Sequence, residues 1–272
     1  MEINKIYNEN CLETMAKMPD KFVDLVVTSP PYDNIREYNG YTFEFGKIAN
    51  ELYRIIKDGG ILVWVVGDAT VKGSESGTSF RQALYFKEIG FNLHDTMIYR
   101  TDKPPVNAKR YQGNFEYMFV FTKGKINTFN PITTLPKRPT HIATKTHRDK
   151  NGKMSLKKRP QKSTKIIDNI WYFYTGRAET KDDSAYKHPA RFPEQLANDH
   201  IISWSNQNDL VYDCFMGSGT VAKMSILNNR NWIGSEISSE YCNIIEERIK
   251  KAWEEKRKEK DLQAGTLFGN EM

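Results

Sequence analysis

Residues 210–236 read LVYDCFMGSGTVAKMSILNNRNWIGSE, and their order decides the fold. An apolar run over 210–215 contains one acid, Asp213, and gives way to Gly217-Ser218-Gly219. The stretch 217–228 continues as a helix, and 232–236 is apolar again until it closes on Glu236. Strand, glycine turn, helix and strand form a βαβ unit of a parallel sheet. The glycines let the backbone approach a ligand, and the helix N-terminus offers unpaired N–H groups with partial positive charge. A dinucleotide fingerprint needs a third glycine at position 222, where Ala222 stands. Glu236 lies 23 residues after Asp213, where a carboxylate accepts from both ribose hydroxyls. The set suits a nucleoside cofactor without a pyrophosphate. Asp213 meets an ammonium, the glycine turn a carboxylate and Glu236 a ribose; S-adenosylmethionine has all three.

Outward from this unit the alternation recurs. Short strands at 3–8 and 22–28 flank a helix at 11–17. Residues 45–57 have helical periodicity (Ile48, Leu52, Ile55, Ile56) and stop at Asp58-Gly59-Gly60, which reads as a C-terminal cap. Residues 61–66 are continuously apolar, as in a strand covered on both faces. A helix at 79–89 precedes two strands, 92–100 and 115–122, expected to pair antiparallel. Helices follow at 193–204 and 241–258. The expected class is α/β, a mostly parallel twisted sheet with helices on both faces and ligands at the carboxyl ends of its strands.

The chain has 272 residues, 39% hydrophobic and 27% charged, which fits one large α/β domain with an insert or two small domains. No apolar run approaches membrane-spanning length, and the start MEINKIYNEN has no basic-then-apolar pattern, so a cytoplasmic protein is expected. Cys11, Cys214 and Cys242 have no CxxC spacing and the five histidines no ligand spacing, so no metal is expected. Charge is unevenly placed. Residues 123–165 hold thirteen Lys or Arg against one acid, Asp149, leaving about −6 on the rest of a chain whose total is +6. Such a stretch, with Pro, Thr, Asn and Gly where a core needs Leu and Val, is a ready phosphate-binding surface.

The second informative motif is Thr28-Ser29-Pro30-Pro31-Tyr32 at the end of the 22–28 strand. Two prolines fix their φ angles and donate no backbone hydrogen, and Pro30 keeps Ser29 out of the helical region. The loop presents a Ser29 hydroxyl, the Pro30 carbonyl and the flat ring of Tyr32. Two acceptors beside a stacking surface suit a planar heterocycle carrying an amino group. A rigid turn after a buried strand is the plainer alternative.

TSPPY followed much later by DCFMGSGT resembles the amino-methylating DNA methyltransferases that use S-adenosylmethionine, in their permuted β-class order. Further matches are IYNENCLETMAKMPDKFVDLVVTSPPY, FEYMFVFTKGK and HPARFPEQLANDHI. The resemblance implies a circularly permuted Rossmann-like methyltransferase fold: a catalytic half at 1–125, a basic target-recognition insert at 126–185, a cofactor-binding half at 186–260 and a loose tail at 261–272. It implies catalytic roles for Ser29, Pro30, Pro31 and Tyr32. Cofactor contacts are implied at Asn10, Cys11, Thr28, Ser29, His188, Ala190, Phe192, Asp213, Phe215, Gly217, Ser218, Gly219, Thr220, Glu236 and Ile237. Two departures stand out: Glu9-Asn10 replaces the usual Gly-Asp, and Phe192 stands where Lys is frequent. Double-stranded DNA is the implied partner, with Arg36 and Tyr38 of a closing loop at 33–41, and Lys137, Arg138, Lys157, Lys158 and Arg159 of the insert, as its contacts. A cognate restriction endonuclease and a homodimer are further partners the resemblance allows.

The chemistry this implies is direct methyl transfer to an exocyclic amine. Ser29 and the Pro30 carbonyl would hold the amine hydrogens and Tyr32 would stack on the flipped base. Methylation at cytosine carbon 5 needs a Pro-Cys nucleophile, and no cysteine here follows a proline. Ser before Pro-Pro goes mainly with cytosine N4 in the family, and Asp or Asn mainly with adenine N6. Methyltransferases of RNA or protein glutamine place the cofactor loop first, the reverse of this order. A DNA-binding module that has lost catalysis is at odds with intact Ser29, Tyr32, Asp213 and Glu236.

Overall fold

The computed structural model describes residues 1–31, 43–101, 109–136, 142–160, 163–173 and 192–268. In chain order the elements are β1 (Lys5–Tyr7), α1 (Cys11–Ala16), β2 (Val23–Thr28), α2 (Phe45–Ile55), β3 (Ile56–Val66), β4 (Thr70–Val71), β5 (Ser74–Glu75), α3 (Thr78–Glu88), β6 (Asn92–Arg100) and β7 (Phe115–Thr122). Then come β8 (Thr133–Thr134), β9 (Ile142–Arg148), β10 (Met154–Pro160), β11 (Lys165–Ile166), β12 (Ile170–Tyr172), α4 (Glu194–Trp204), β13 (Leu210–Asp213), α5 (Thr220–Leu227), β14 (Asn231–Ser235) and α6 (Ser239–Phe268). They form two compact units, Met1–Asn130 with Asn169–Met272, and Pro131–Asp168.

The larger unit is built on an eight-stranded sheet in the order β1-β14-β13-β2-β3-β7-β6-β12. Every neighbouring pair is parallel except the two made by β7, which runs antiparallel between β3 and β6. The mostly parallel α/β architecture expected from the sequence is therefore present. The central strands β2 and β3 are apolar at nearly every position because both their faces are covered: Leu25, Val26, Val27 and Ile61 to Val66 are all buried. Trp232 and Ile233, adjacent on β14 and hence on opposite faces, belong to two different apolar clusters. Ile233 shares one with Met15 of α1, Leu52 of α2 and Phe86 of α3; Trp232 shares the other with Ile226 of α5 and Ile245 of α6. Helices thus cover both faces. The first strand in the chain lies beside the last, as a circularly permuted order requires.

Asp58-Gly59-Gly60 does not cap a helix as its composition suggested. The α2 helix ends at Ile55, and Asp58 to Gly60 lie inside β3, where the register with β2 jumps from Val23↔Ile56 to Leu25↔Ile61. The extra residues bulge out, and Gly59 takes φ +79° while its N–H donates to the Lys123 carbonyl at 2.6 Å. At the other end α6 continues to Phe268, beyond the expected stop near residue 258. Residues 254–261, EEKRKEKD, are strong helix formers with opposite charges three and four apart, so a solvated helix persists without an apolar face.

The smaller unit pairs β8 with β11 and β9 with β10, both antiparallel. The β9–β10 turn explains the lone acid of the basic stretch. Asp149 Oδ1 accepts from the N–H groups of Asn151 and Lys153, each at 2.9 Å, and Gly152 supplies φ +80°. Asp149 shapes the turn, and Asp168 pairs with Lys165, so two acids stand against the eleven Lys and Arg of residues 131–168.

Candidate active site

Because β1, β14, β13, β2 and β3 are parallel, their carboxyl ends share one edge of the sheet. The chain leaves β13 for β14 on one side and β2 for β3 on the other, so the crevice between β13 and β2 is a topological switch point. Asp213 ends β13 and Thr28 ends β2, and their side chains meet across it: Thr28 Oγ1 donates to Asp213 Oδ1 at 2.7 Å. The same oxygen accepts from the Phe215 N–H at 3.1 Å, and the Cys214 thiol donates to Thr28 Oγ1 at 3.5 Å. Asp213 Oδ2 has no protein partner among the described residues. Ser29, Pro30 and Pro31 follow Thr28 directly. The cofactor and catalytic motifs, 185 residues apart, are joined by one hydrogen bond.

Burial raises the Asp213 carboxyl to about 7, against the opposing hydrogen bonds from Thr28 and Phe215. Glu236, one residue past β14, is also raised by burial, although backbone N–H groups favour its charged form. Its Oε2 accepts from Gly217 N at 2.8 Å and its Oε1 from Ser238 N at 3.0 Å, which fixes the carboxylate against the glycine turn. Two desolvated carboxylates at one sheet edge make a site that a cationic ligand relieves.

The glycine turn is held by packing. Gly219 has φ +77°, and a Cβ there would fall 2.9 Å from Ile245 Cγ2. A Cβ on Gly234 would fall 2.1 Å from Met216 Sδ, so the small residue in β14 leaves room for the turn to sit down on the sheet. The Phe215 ring packs edge-on against Phe43 at 5.8 Å and Trp64 at 6.3 Å.

At the β1 end, Asn10 caps α1, its Oδ1 accepting from Leu12 N at 2.9 Å, and Cys11 is buried. Glu9 accepts from Thr14 Oγ1 at 2.8 Å and pairs with Lys17. Asn8 Nδ2 donates to the carbonyls of Glu236 (2.8 Å) and Ile237 (3.1 Å), tying β1 to β14 beside the site.

The structure thus brings Asn10, Cys11, Thr28, Ser29, Pro30, Pro31, Asp213, Phe215, Gly217, Ser218, Gly219, Thr220, Glu236 and Ile237 to the carboxyl ends of four neighbouring strands. Phe192 lies just ahead of α4. Tyr32, Arg36, Tyr38, Lys137, Arg138, His188 and Ala190 fall outside the described residues, and Lys157, Lys158 and Arg159 belong to β10. Sequence reasoning missed Arg248, which is 1% exposed beneath the glycine turn. The signal was present: 248 falls on the same α6 face as Ile245 and Ala252. No group of three or more His, Cys, Asp or Glu among the described residues is placed to hold a metal, and none of their helices is long and apolar enough to cross a membrane.

A family model described as DNA methylase, covering N6 and N4 methyltransferases, matches residues 23–247. The chain belongs to this DNA methylase family. It is 54% identical over 240 residues to the orphan methyltransferase M.BamHII of Bacillus amyloliquefaciens, covering 85% of this chain and 90% of that one. Among solved structures, the PvuII DNA methyltransferase (cytosine-N4-specific) has a TM-score of 0.68 at 21% identity, covering 90% of this chain and 85% of that one. The Thermus thermophilus protein TTHA0409, solved in complex with S-adenosyl-L-methionine, has a TM-score of 0.63 at 23% identity, covering 91% of this chain and 93% of that one. The protein is an S-adenosylmethionine-dependent DNA methyltransferase.

Proposed function

We propose that this methyltransferase acts on the N4 amine of a cytosine flipped out of duplex DNA. The observation that carries the reading is Ser29 before Pro30-Pro31, at the end of β2 and one residue from the Thr28–Asp213 bond. The cytosine-N4 name of the PvuII neighbour is in keeping with it.

The site fits the cofactor by the chemistry of its donors. Asp213 Oδ2 would take the ammonium, the glycine turn the carboxylate, and Glu236, already fixed by Gly217 and Ser238, the ribose hydroxyls. Bound S-adenosylmethionine supplies an electrophilic methyl group. Ser29 Oγ and the Pro30 carbonyl accept the two amine hydrogens, which draws the lone pair out of ring conjugation. Tyr32 stacks on the base and fixes its approach. Positioning and electrostatics carry the acceleration, with no covalent enzyme intermediate. Sequencing DNA from cells expressing the chain with modification-sensitive chemistry tests the base. N4-methylcytosine in a fixed context is expected, and N6-methyladenine there would overturn the choice.

Cofactor affinity should depend on pH through Asp213. The ammonium needs the ionised carboxylate, so affinity should fall below about pH 7, approaching tenfold per unit. The free protein should behave oppositely. A carboxyl raised above its unfolded value of about 3.9 stabilises the fold below that value and loses this contribution as pH rises through about 7. Calorimetric titration across pH 5.5–8.5 (about one and a half units to either side of the raised carboxyl) checks the first statement, and apo melting temperatures the second.

The basic insert should grip phosphates. Replacing Lys157 and Lys158 together by Gln is expected to lower affinity equally on cognate and random duplexes. It should also reduce the log–log salt slope by about 0.9 per lost phosphate contact. Fluorescence anisotropy against salt measures both; an unchanged slope would make this stretch a bystander.

A further inference from the structure

The larger unit holds a buried charge cluster that the methyl-transfer chemistry does not use. Arg248 of α6 reaches under the glycine turn, where its guanidinium donates to the Ser218 carbonyl, to Ser218 Oγ at 3.0 Å and to Thr220 Oγ1 at 3.2 Å. Its other nitrogen donates to Glu194 Oε1 at 2.6 Å. Glu194 opens α4, and Lys223 of α5 donates to both its oxygens at 2.9 and 3.0 Å. Two cations thus share one carboxylate, with the side chains of Arg248, Lys223 and Glu194 1%, 12% and 17% exposed.

Such a cluster is costly to bury and is weak evidence of stabilisation by itself. Its placement gives it another use. Arg248 engages the inward-facing acceptors of Ser218 and Thr220, so it fixes the backbone of the turn between Gly217 and Gly219, both at positive φ. Glu194 follows Phe192 and Pro193 by two residues or fewer, so the same ion pair ties the start of α4 to the turn.

We propose that Arg248, held by Glu194, is a positioning residue that presets the glycine turn for the carboxylate end of the cofactor. It acts by fixing the turn. This rests on the reading that the turn receives that carboxylate.

The test compares S-adenosylmethionine with 5′-methylthioadenosine, which keeps the nucleoside and lacks the amino-acid end. The double variant Arg248→Met with Glu194→Gln removes the ion pair, while the Gln amide oxygen still accepts a hydrogen bond from Lys223. It should bind S-adenosylmethionine on the order of 10- to 100-fold more weakly, as expected for a misplaced binding element. Its affinity for 5′-methylthioadenosine should stay within about twofold of wild type, a split that general loosening of the fold would not produce. Where the double variant fails to fold, Arg248→Lys keeps the charge but loses the forked contacts, and should show the same selective loss. Equal loss for both ligands, or loss for neither, overturns the inference. Wild-type protein that binds 5′-methylthioadenosine as tightly as S-adenosylmethionine would instead remove the carboxylate reading beneath it.

Discussion

Asp213→Ala is expected to abolish S-adenosylmethionine binding while leaving the fold in place. The residue is 4% exposed, its Oδ2 has no protein partner among the described residues, and burial already raises the carboxyl to about 7. Leaving a ligand's ammonium unpaired in such a site costs about 3–5 kcal/mol, which is more than about 10²-fold in affinity. The fold loses less, because removing a desolvated carboxylate relieves its burial penalty. What remains is the lost acceptor for Thr28 Oγ1 and Phe215 N. Asp213→Asn keeps that acceptor and removes only the charge, so it should fold like wild type and still bind poorly. Calorimetry showing wild-type affinity in the Asn variant would sink the ammonium assignment.

Tyr32→Ala should remove most methyl transfer with little change in cofactor affinity. Tyr32 follows Pro30-Pro31, and the role proposed for it, stacking on the flipped base, involves the substrate alone. Base–aromatic stacking is worth about 1–3 kcal/mol, and a misplaced amine costs a further factor of about 10² in rate. Tyr32→Phe should keep substantial activity, since the ring face rather than the hydroxyl is used. Single-turnover rates with saturating cofactor separate the cases. A Phe variant as inactive as the Ala variant would mean the hydroxyl carries the role.

Much of this was legible because strands and glycine turns leave strong local marks. The 210–236 stretch placed β13, α5, β14 and both carboxylates, and the unbroken apolar run at 61–66 marked a strand covered on both faces. What escaped depends on contacts distant in sequence. Asp58-Gly59-Gly60 has the composition of a helix cap, and only the pairing of β3 with β2 turns it into a bulge. Ile170–Tyr172 is too short to announce itself as a strand, and forms one by pairing with β6. The Thr28–Asp213 bond follows from strand order, which no local pattern encodes. Arg248 is polar on an apolar helix face, yet its role appears only when Ser218 and Glu194 are brought to it.

The central claim is methyl transfer to an exocyclic amine of DNA, with cytosine as the base. The most direct measurement incubates unmethylated duplex DNA with the purified protein and S-adenosylmethionine carrying a deuterated methyl group, then identifies labelled nucleosides by mass spectrometry. Label in N4-methylcytosine, lost in the Asp213→Asn and Tyr32→Ala variants, is the expected result. Label in 5-methylcytosine, or none in any base, would contradict the claim, and label confined to N6-methyladenine would overturn its choice of base.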